Sequence, residues 1–544
     1  MRVSRQKPLS PRQELLGIQQ KIFKRNNAFI RKHTFIRQGE FDAYERAYKR
    51  QVAHYEGLSG IDEVLEAIDK ADLIYVGDYH TNHQSQKFFL RLLRLVVQRS
   101  SEMAIALELF QKRHQKLLRD YLEETIDEEE FLYKTQFKKY WDVSLWDNFK
   151  LLFDFARYHQ LPIIGIEAVT DIMARLRHRD KKSAQVIVRF VKKNPRKKLL
   201  ILVGDLHIAP THLPAEVQKC LKKEGLAKRD LIIYQNSESI YWKLAEKNLE
   251  QKVEVVRINE RSFCFMNTPP IIWQQSYIHW IENEGEGIDY HDAKQSFMDL
   301  VERIAEFLDL PLSKNSDEVE VFTSDDLTFL ERLKSNELFS AHEVRLIKKQ
   351  ILNSESYFIP KARYVYLSDL SINHAAEEAA HYIKFLFSGE EFERDLVDAF
   401  YANLLNECLG FFGSKIINHK RKCFHQKDYK DLINYFKTSK VTKDRELEWQ
   451  AAHLILEHYD MAKRGRPITN RRILKSDPQL FFAVTHGLGY GLGDRLYYGF
   501  INKVISKAEI RELFCDPFRE EGVSFKVFLG LSRALRKVKI PARI

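Results

Sequence analysis

Two short words in the chain place an aspartate and a histidine two residues apart, directly after a glycine. They are Gly77, Asp78 and His80 in LIYVGDYHTNHQ, and Gly204, Asp205 and His207 in LLILVGDLHIAP. In an extended backbone residues i and i+2 project to the same side, so each aspartate is expected to share a space with its histidine. Two further carboxylates also close apolar runs: Glu108 ends MAIALE and Glu167 ends LPIIGIE. Imidazole and carboxylate together suit a divalent transition metal such as Zn, Mn or Fe, which lowers the pKa of a bound water and makes it a nucleophile. Without metal, a histidine paired with a carboxylate serves as a general base. Glycine and aspartate are also favoured wherever a strand turns into a helix, so one such word says little. Two copies with two further carboxylates point to a shared site. Its expected catalytic residues are His80, Glu108 and His207. Its expected metal ligands are Asp78, His80, Glu108, Asp205 and His207, with Glu167 a weaker member.

Such a site needs a scaffold that gathers distant strand ends. From about residue 60 to 260, the strand-like runs DLIYVG, MAIALELF, LPIIGIEA, KLLILVGD, DLIIYQN and VEVVRIN alternate with helical patterns. Most are apolar on both faces, as in strands buried on both sides by helices. Segments such as NHQSQKFFLRLLRLVVQ and SLWDNFKLLFDFARYHQ have helical spacing and enough length for crossovers. The expected fold class is α/β, an open and mostly parallel sheet with helices on both faces, whose ligands gather beyond the carboxyl ends of the strands. Residues 125–146, TIDEEEFLYKTQFKKYWDVSLW, exceed what a plain crossover needs and are expected to add helices on one rim.

After Pro269 and Pro270 the strand signals fade, and ENEGEGIDYHD and LPLSKNSDEVEVFTSDD read as connections, the second a short hairpin or linker. From about residue 325 helical patterns dominate. The expected organisation is a basic helical arm over 1–55, an α/β domain over 56–270, a linker with a connecting helix over 271–324 and an α-helical C-terminal domain over 325–544.

A chain of 544 residues is too long for one ordinary core, and 44% apolar with 30% charged residues is a globular composition. No run approaches the ~18 apolar residues of a membrane span, since even LRLLRLVV carries Arg91 and Arg94. The N-terminus lacks the apolar core of a secretory signal, and the first cysteine is Cys220, so a lipoprotein signal is unsupported as well. Five cysteines without CxxC spacing suit a reducing, cytoplasmic setting. Residues 1–50 hold 13 Lys and Arg against four acids, +9 of the total +11. Such an arm suits an anionic partner, and an adaptor built on it is a non-catalytic alternative. The simpler reading is a solvated helix with Leu15, Leu16, Ile22 and Phe23 on its inner face.

In the helical half, NHAAEEAAHYIKF sets His374, Glu377, Glu378 and His381 on one helical face. Glu378 and His381 form a Glu-x-x-His pair of the kind used in carboxylate-bridged metal bundles, which need a partner from another helix. His453 with Glu457 is a candidate partner, and His374, Glu378 and His381 make a second possible metal site. The plain alternative is an alanine-rich surface helix. In THGLGYGLGDRLYYG the glycines fit no phosphate-loop pattern. Ala483, Gly487 and Gly491 recur every four residues instead, a smooth face for close helix packing.

The order and spacing of GDYH, ALELFQKRHQKLLRDYLEETIDEEEFL, YWDVSLWDNFKLLFDFARYHQLPIIGIEA and LLILVGDLH carry a resemblance over residues about 60 to 260. The segment resembles the ChaN-like haem-binding uptake proteins, of the superfamily that includes Tiki proteases, TraB and erythromycin esterases. The resemblance implies a GExH motif after the first strand, a Glu after the next and a later GxxH. His80, Glu108 and His207 match by position, while Asp78 stands where the first motif has Glu, one methylene shorter. It further implies haem or a divalent transition metal (Fe, Mn or Zn) as cofactor, with Tyr79, His80, His83 and His207 near enough to the rim to hold haem iron. The expected function is haem, iron or transition-metal binding. A metal-dependent hydrolase of a peptide or small molecule, like the Tiki and esterase members, is the alternative.

Overall fold

The structure, a computed structural model, describes residues 9–33, 39–80, 82–100, 102–137, 143–167, 175–284, 293–313, 316, 318–323, 326–352, 356–368, 371–389, 392–438, 445–469 and 478–541. The chain forms two compact units, one of residues 26–281 and one that joins residues up to 25 with 282–541.

The first unit is built on eight strands: β1 (Gly57–Ser59), β2 (Leu73–Asp78), β3 (Met103–Gln111), β4 (Ile163–Glu167), β5 (Lys198–Gly204), β6 (Asp230–Gln235), β7 (Val255–Asn259) and β8 (Ser262–Phe265). They lie in the order β1-β7-β8-β6-β2-β5-β3-β4. Pairing is parallel from β8 through to β4, and β7 runs antiparallel to both β8 and β1. Every residue of β2, β3 and β4 is buried, because helices cover both faces. Alternation sorts them: Ile74 and Val76 face one core with Phe88, Leu92 and Phe153, while Leu73 and Tyr75 face the other with Ile187, Val217 and Leu244. The expected mostly parallel α/β sheet is present. Strands β1 and β8 escaped the sequence pattern because three or four residues are too few to display a period, and only pairing with β7 makes them strands.

Chain order creates the site. From β2 the chain moves out to β3 and β4, returns to insert β5 between β2 and β3, then crosses β2 to add β6. At this reversal the carboxyl ends of β2, β5 and β3 stand side by side, with Asp78 paired to Gly204 across β2 and β5.

The second unit is mainly helical. The segment read as a linker with a connecting helix holds the Ala293–Phe307 helix, which buries Phe297, Val301 and Ile304. A small sheet also lies among the helices: β9 (Glu320–Thr323), β10 (Tyr357–Ile359) and β11 (Tyr364–Leu367). β10 and β11 form a hairpin through Arg363, whose φ is 54°, and β9 adds parallel to β11. From the Pro11–His33 helix, Leu15, Ile18 and Ile22 are buried, and Lys21 and Arg25 pair with Glu306 and Asp299. The basic arm is thus partly neutralised within the fold. Among the described residues no helix is long and apolar enough to cross a membrane.

His458, on the Glu446–Lys463 helix, is buried against Tyr401, and desolvation pushes its pKa down to about 4. Between that value and the unfolded value of about 6.5 the unfolded chain holds the extra proton, so stability must fall as pH drops through this window. From pH 7 to 4.5 the wild type should lose about 2 kcal/mol more than His458→Phe, measured by urea unfolding of the two proteins side by side. Equal losses would refute the burial of a neutral imidazole.

Candidate functional site

Asp78 closes β2 facing the His83–Val97 helix, which Asn82 caps by accepting from the Gln84 N–H. One turn in, Gln86 donates to Asp78 Oδ1 at 2.6 Å, and the other carboxylate oxygen lies 2.8 Å from His80 Nδ1. A carboxylate only accepts, so the imidazole proton sits on Nδ1 and the ring is held with Nε2 turned away. That Nε2 lies 3.6 Å from Glu108 Oε2.

Glu108, from β3, is the hub. Its Oε2 accepts from the Gly204 N–H at 2.7 Å, and its Oε1 accepts from Arg179 Nη2 at 2.8 Å. His207 Nε2 lies 3.5 Å from the same Oε1. His207 repeats the arrangement of His80, with Nδ1 2.5 Å from Asp180 Oδ1, whose second oxygen accepts from Tyr44 Oη at 2.9 Å. Two imidazoles, each backed by a buried carboxylate, therefore turn their Nε2 atoms to opposite oxygens of one glutamate.

Burial alone would push the Glu108 carboxyl upward. His207, Arg179 and His80, with the Gly204 N–H, more than offset it and hold Glu108 at about 2. Burial likewise opposes charge on both imidazoles, but Asp78 and Glu108 raise His80, and Glu108 and Asp180 raise His207. Side-chain exposure separates the members: His80 keeps 33%, against 2% for Asp78, 6% for Glu108 and 8% for His207.

Two expected members are placed differently. Glu167, at the end of β4, accepts from Arg179 Nε at 2.9 Å and Nη2 at 2.6 Å, so that guanidinium links it to the site. Asp205 hydrogen-bonds neither imidazole. Residues Asp205–Ile208 form a 3-10 turn, not a continued strand, so the two-residue rule that holds for Asp78 and His80 fails for Asp205 and His207. The Asp205 carboxylate instead lies on the Cα of Gly77 beside the Tyr48 hydroxyl, with Oδ1 lacking a hydrogen-bond partner. Desolvation, with Asp78 nearby, pushes its pKa up to about 7.

Arg179, Asp180, Tyr44 and Gln86 were missed from sequence. A signal existed for Asp180: on the Leu176–Lys193 helix it falls in line with Ser183, Ala184, Ile187, Val188 and Val191, the buried stripe, where an unpaired carboxylate is out of place. Tyr44 carried no comparable mark. Of the other residues near the rim, Tyr79 packs against Trp273 and Tyr277, with ring centroids 5.4 and 6.4 Å away, and His83 is exposed at its helix start.

In the helical unit His381 Nδ1 lies 3.3 Å from Glu378 Oε2, as the Glu-x-x-His spacing predicts. The expected partners do not join them, since His453 and Glu457 are exposed. Among the described residues, sets of ligand atoms within 4.8 Å of one another occur at Glu377, Glu407 and His486 and at Cys423, His425 and Asp494. None of His374, Glu378 and His381 is in either set, so the expected second metal site is not assembled as read, and the described rim residues form no such set.

Residues 64–183 match the family model described as haem-binding uptake, Tiki superfamily, ChaN. Over those residues the α/β unit is similar to this family. The match holds β2, Asp78, His80, Glu108, Glu167, Arg179 and Asp180, and stops short of His207. A solved structure titled "Cofacial heme binding to ChaN of Campylobacter jejuni" is similar at 17% identity over 33% of this chain and 86% of that one, with a TM-score of 0.24. No curated protein matches the chain.

Gly77 is required by the Asp205 contact. A Cβ there would stand 1.9 Å from Asp205 Oδ1 and 2.8 Å from Ile208 Cδ1. Gly77→Ala should cost about 1–3 kcal/mol by overpacking, and much less in an Asp205→Ala background. A double-mutant cycle of denaturant midpoints measures the coupling, and additive effects would show that the carboxylate does not rest on this glycine.

Proposed function

We propose that the α/β unit binds haem at the rim of its sheet, with His80 as the iron ligand. The observation that carries this reading is that His80 is the more exposed imidazole of the pair and is oriented by a buried carboxylate at Nδ1, so that Nε2, which faces Glu108 Oε2 at 3.6 Å, is the atom that would bind iron once deprotonated. Metal-bound histidines ordinarily have such a partner on the other ring nitrogen. The residues fit the group. Haem needs an oriented imidazole or phenolate beside apolar surface, and Tyr79, next to His80 in the chain, forms a group of partly exposed aromatic rings with Trp273 and Tyr277. The ChaN family model over residues 64–183 supports the same ligand. Bound haem would supply an iron centre for carriage or storage. The protein's own part is to orient His80 through Asp78 and Gln86, and to hold Glu108 ionised through Arg179 and the Gly204 N–H. Five free thiols accord with a reducing, cytoplasmic setting.

A second reading, hydrolysis of a peptide or small molecule, is favoured by one observation. An ionised Glu108 faces two imidazoles that each carry a carboxylate at Nδ1, an arrangement able to hold and pass a proton. Both oxygens of Glu108 are engaged, one by the Gly204 N–H and one by Arg179, which leaves neither for a metal ion, so in this reading the chemistry is acid–base.

Haemin titrated into the purified protein should develop a shifted Soret band at one equivalent. His80→Ala should abolish the shift, and Asp78→Asn should weaken binding by roughly 10- to 100-fold through loss of the orienting partner. A flat titration of wild type, or an unchanged one for His80→Ala, overturns the haem reading. Ester or peptide turnover that vanishes in His207→Ala would support the hydrolytic one instead.

A further inference from the structure

The helical unit holds a second polar cluster, built where helices approach unusually closely. In the Leu396–Ile417 helix, a Cβ on Gly410 would come within 2.3 Å of His381 Nε2; in the Pro478–Ile501 helix, one on Gly489 would come within 2.4 Å of Glu407 Cβ. Backbones this near bring together side chains of three helices: His381, Glu377 and Glu378 from Ile372–Ser388, Glu407 from the second and His486 from the third. Ligand atoms of Glu377, Glu407 and His486 lie within 4.8 Å of one another, with His486 Nδ1 3.0 Å from Glu407 Oε2.

Two atoms of this cluster are unsatisfied. Glu377 is 3% exposed, gives Oε2 to Arg421 at 2.8 Å and has the Tyr490 hydroxyl as a further carboxylate partner, while no direct hydrogen bond of normal geometry reaches its buried Oε1. His381 has Nδ1 on Glu378, and its Nε2 is likewise buried without a partner. A buried polar atom left unpaired costs about 1–3 kcal/mol, so Oε1 of Glu377, a member of the ligand set, marks a place where another group binds. Charge says which kind. Glu377, Glu378 and Glu407 outnumber Arg421, an excess of negative charge that a divalent cation offsets in place of protons on the imidazoles.

We propose that this cluster binds one divalent transition metal through Glu377, Glu407 and His486. Mixed carboxylate and imidazole donors suit Zn, Mn or Fe, and facing helices commonly present them together. His486, half exposed, opens the cluster to an ion from solvent. The site is independent of the sheet rim.

The test uses full-length protein carrying His80→Ala and His207→Ala, so that the rim cannot contribute, with Zn2+ and Co2+ as probes after chelation and dialysis. One equivalent of metal should be retained, and Co2+ should show d–d absorption. Adding Glu407→Gln or His486→Ala should weaken binding by at least ~10-fold, while His374→Ala leaves it unchanged. Zn2+ should also raise the Tm of the protein with Glu407 intact and not that of Glu407→Gln, a substitution that keeps size and hydrogen bonding and so preserves the fold. Failure of the rim-less protein to retain either metal overturns the proposal. Equal affinity in Glu407→Gln and His486→Ala does so too, and leaves the cluster as a network of protonated imidazoles.

Discussion

An ionised carboxylate buried among helices and strands needs compensation from every side, and Glu108 obtains it. The Gly204 N–H, the Arg179 guanidinium and two imidazoles converge on its two oxygens. Leaving such a charge without partners costs several kcal/mol, so the elements that supply them are held to each other through it. β5 must sit between β2 and β3 to offer Gly204. The helix after β4 must begin at the rim to offer Arg179, and the helix Gly39–Gln51 must cover Asp180 with Tyr44.

The same constraint orders the histidines. Each would lose its charged form to burial, and each is given a carboxylate at Nδ1 that restores it. The remaining freedom is exposure, and it falls to His80. That asymmetry turns a buried polar network into a surface site with one presented imidazole.

In the helical unit contact distance plays the equivalent role. Glycine in a helix interior is unfavourable by about 1 kcal/mol relative to alanine, yet the Pro478–Ile501 helix carries several. Gly487 and Gly491 lie against Tyr429, Ile455 and Tyr459, and Gly489 and Gly493 against the backbone around Leu404 and Cys408. Without that approach Glu407 and His486 would not reach Glu377. The glycines that allow it, Gly489 and Gly493, are not those of the four-residue stripe, since Gly487 and Gly491 pack on Tyr429, Ile455 and Tyr459.

Local periodicity was enough to read the parallel sheet, its two-sided burial and the placement of Asp78, His80, Glu108 and His207 at strand ends, because a strand's two-residue repeat and a helix's 3.6-residue repeat are printed in the order of side chains. The same rule misled at Asp205, since it assumes an extended backbone and the chain there turns into a 3-10 helix. Asp180 was legible as a carboxylate on an apolar stripe, but its partner was not. What only the tertiary structure decided is which distant residue satisfies each buried charge: Arg179 on Glu108, Asp180 on His207, Tyr44 on Asp180, and Glu407 with His486 in place of His453 with Glu457. These pairings span tens of residues or more, and a charge imposes no period on the chain that separates it from its partner.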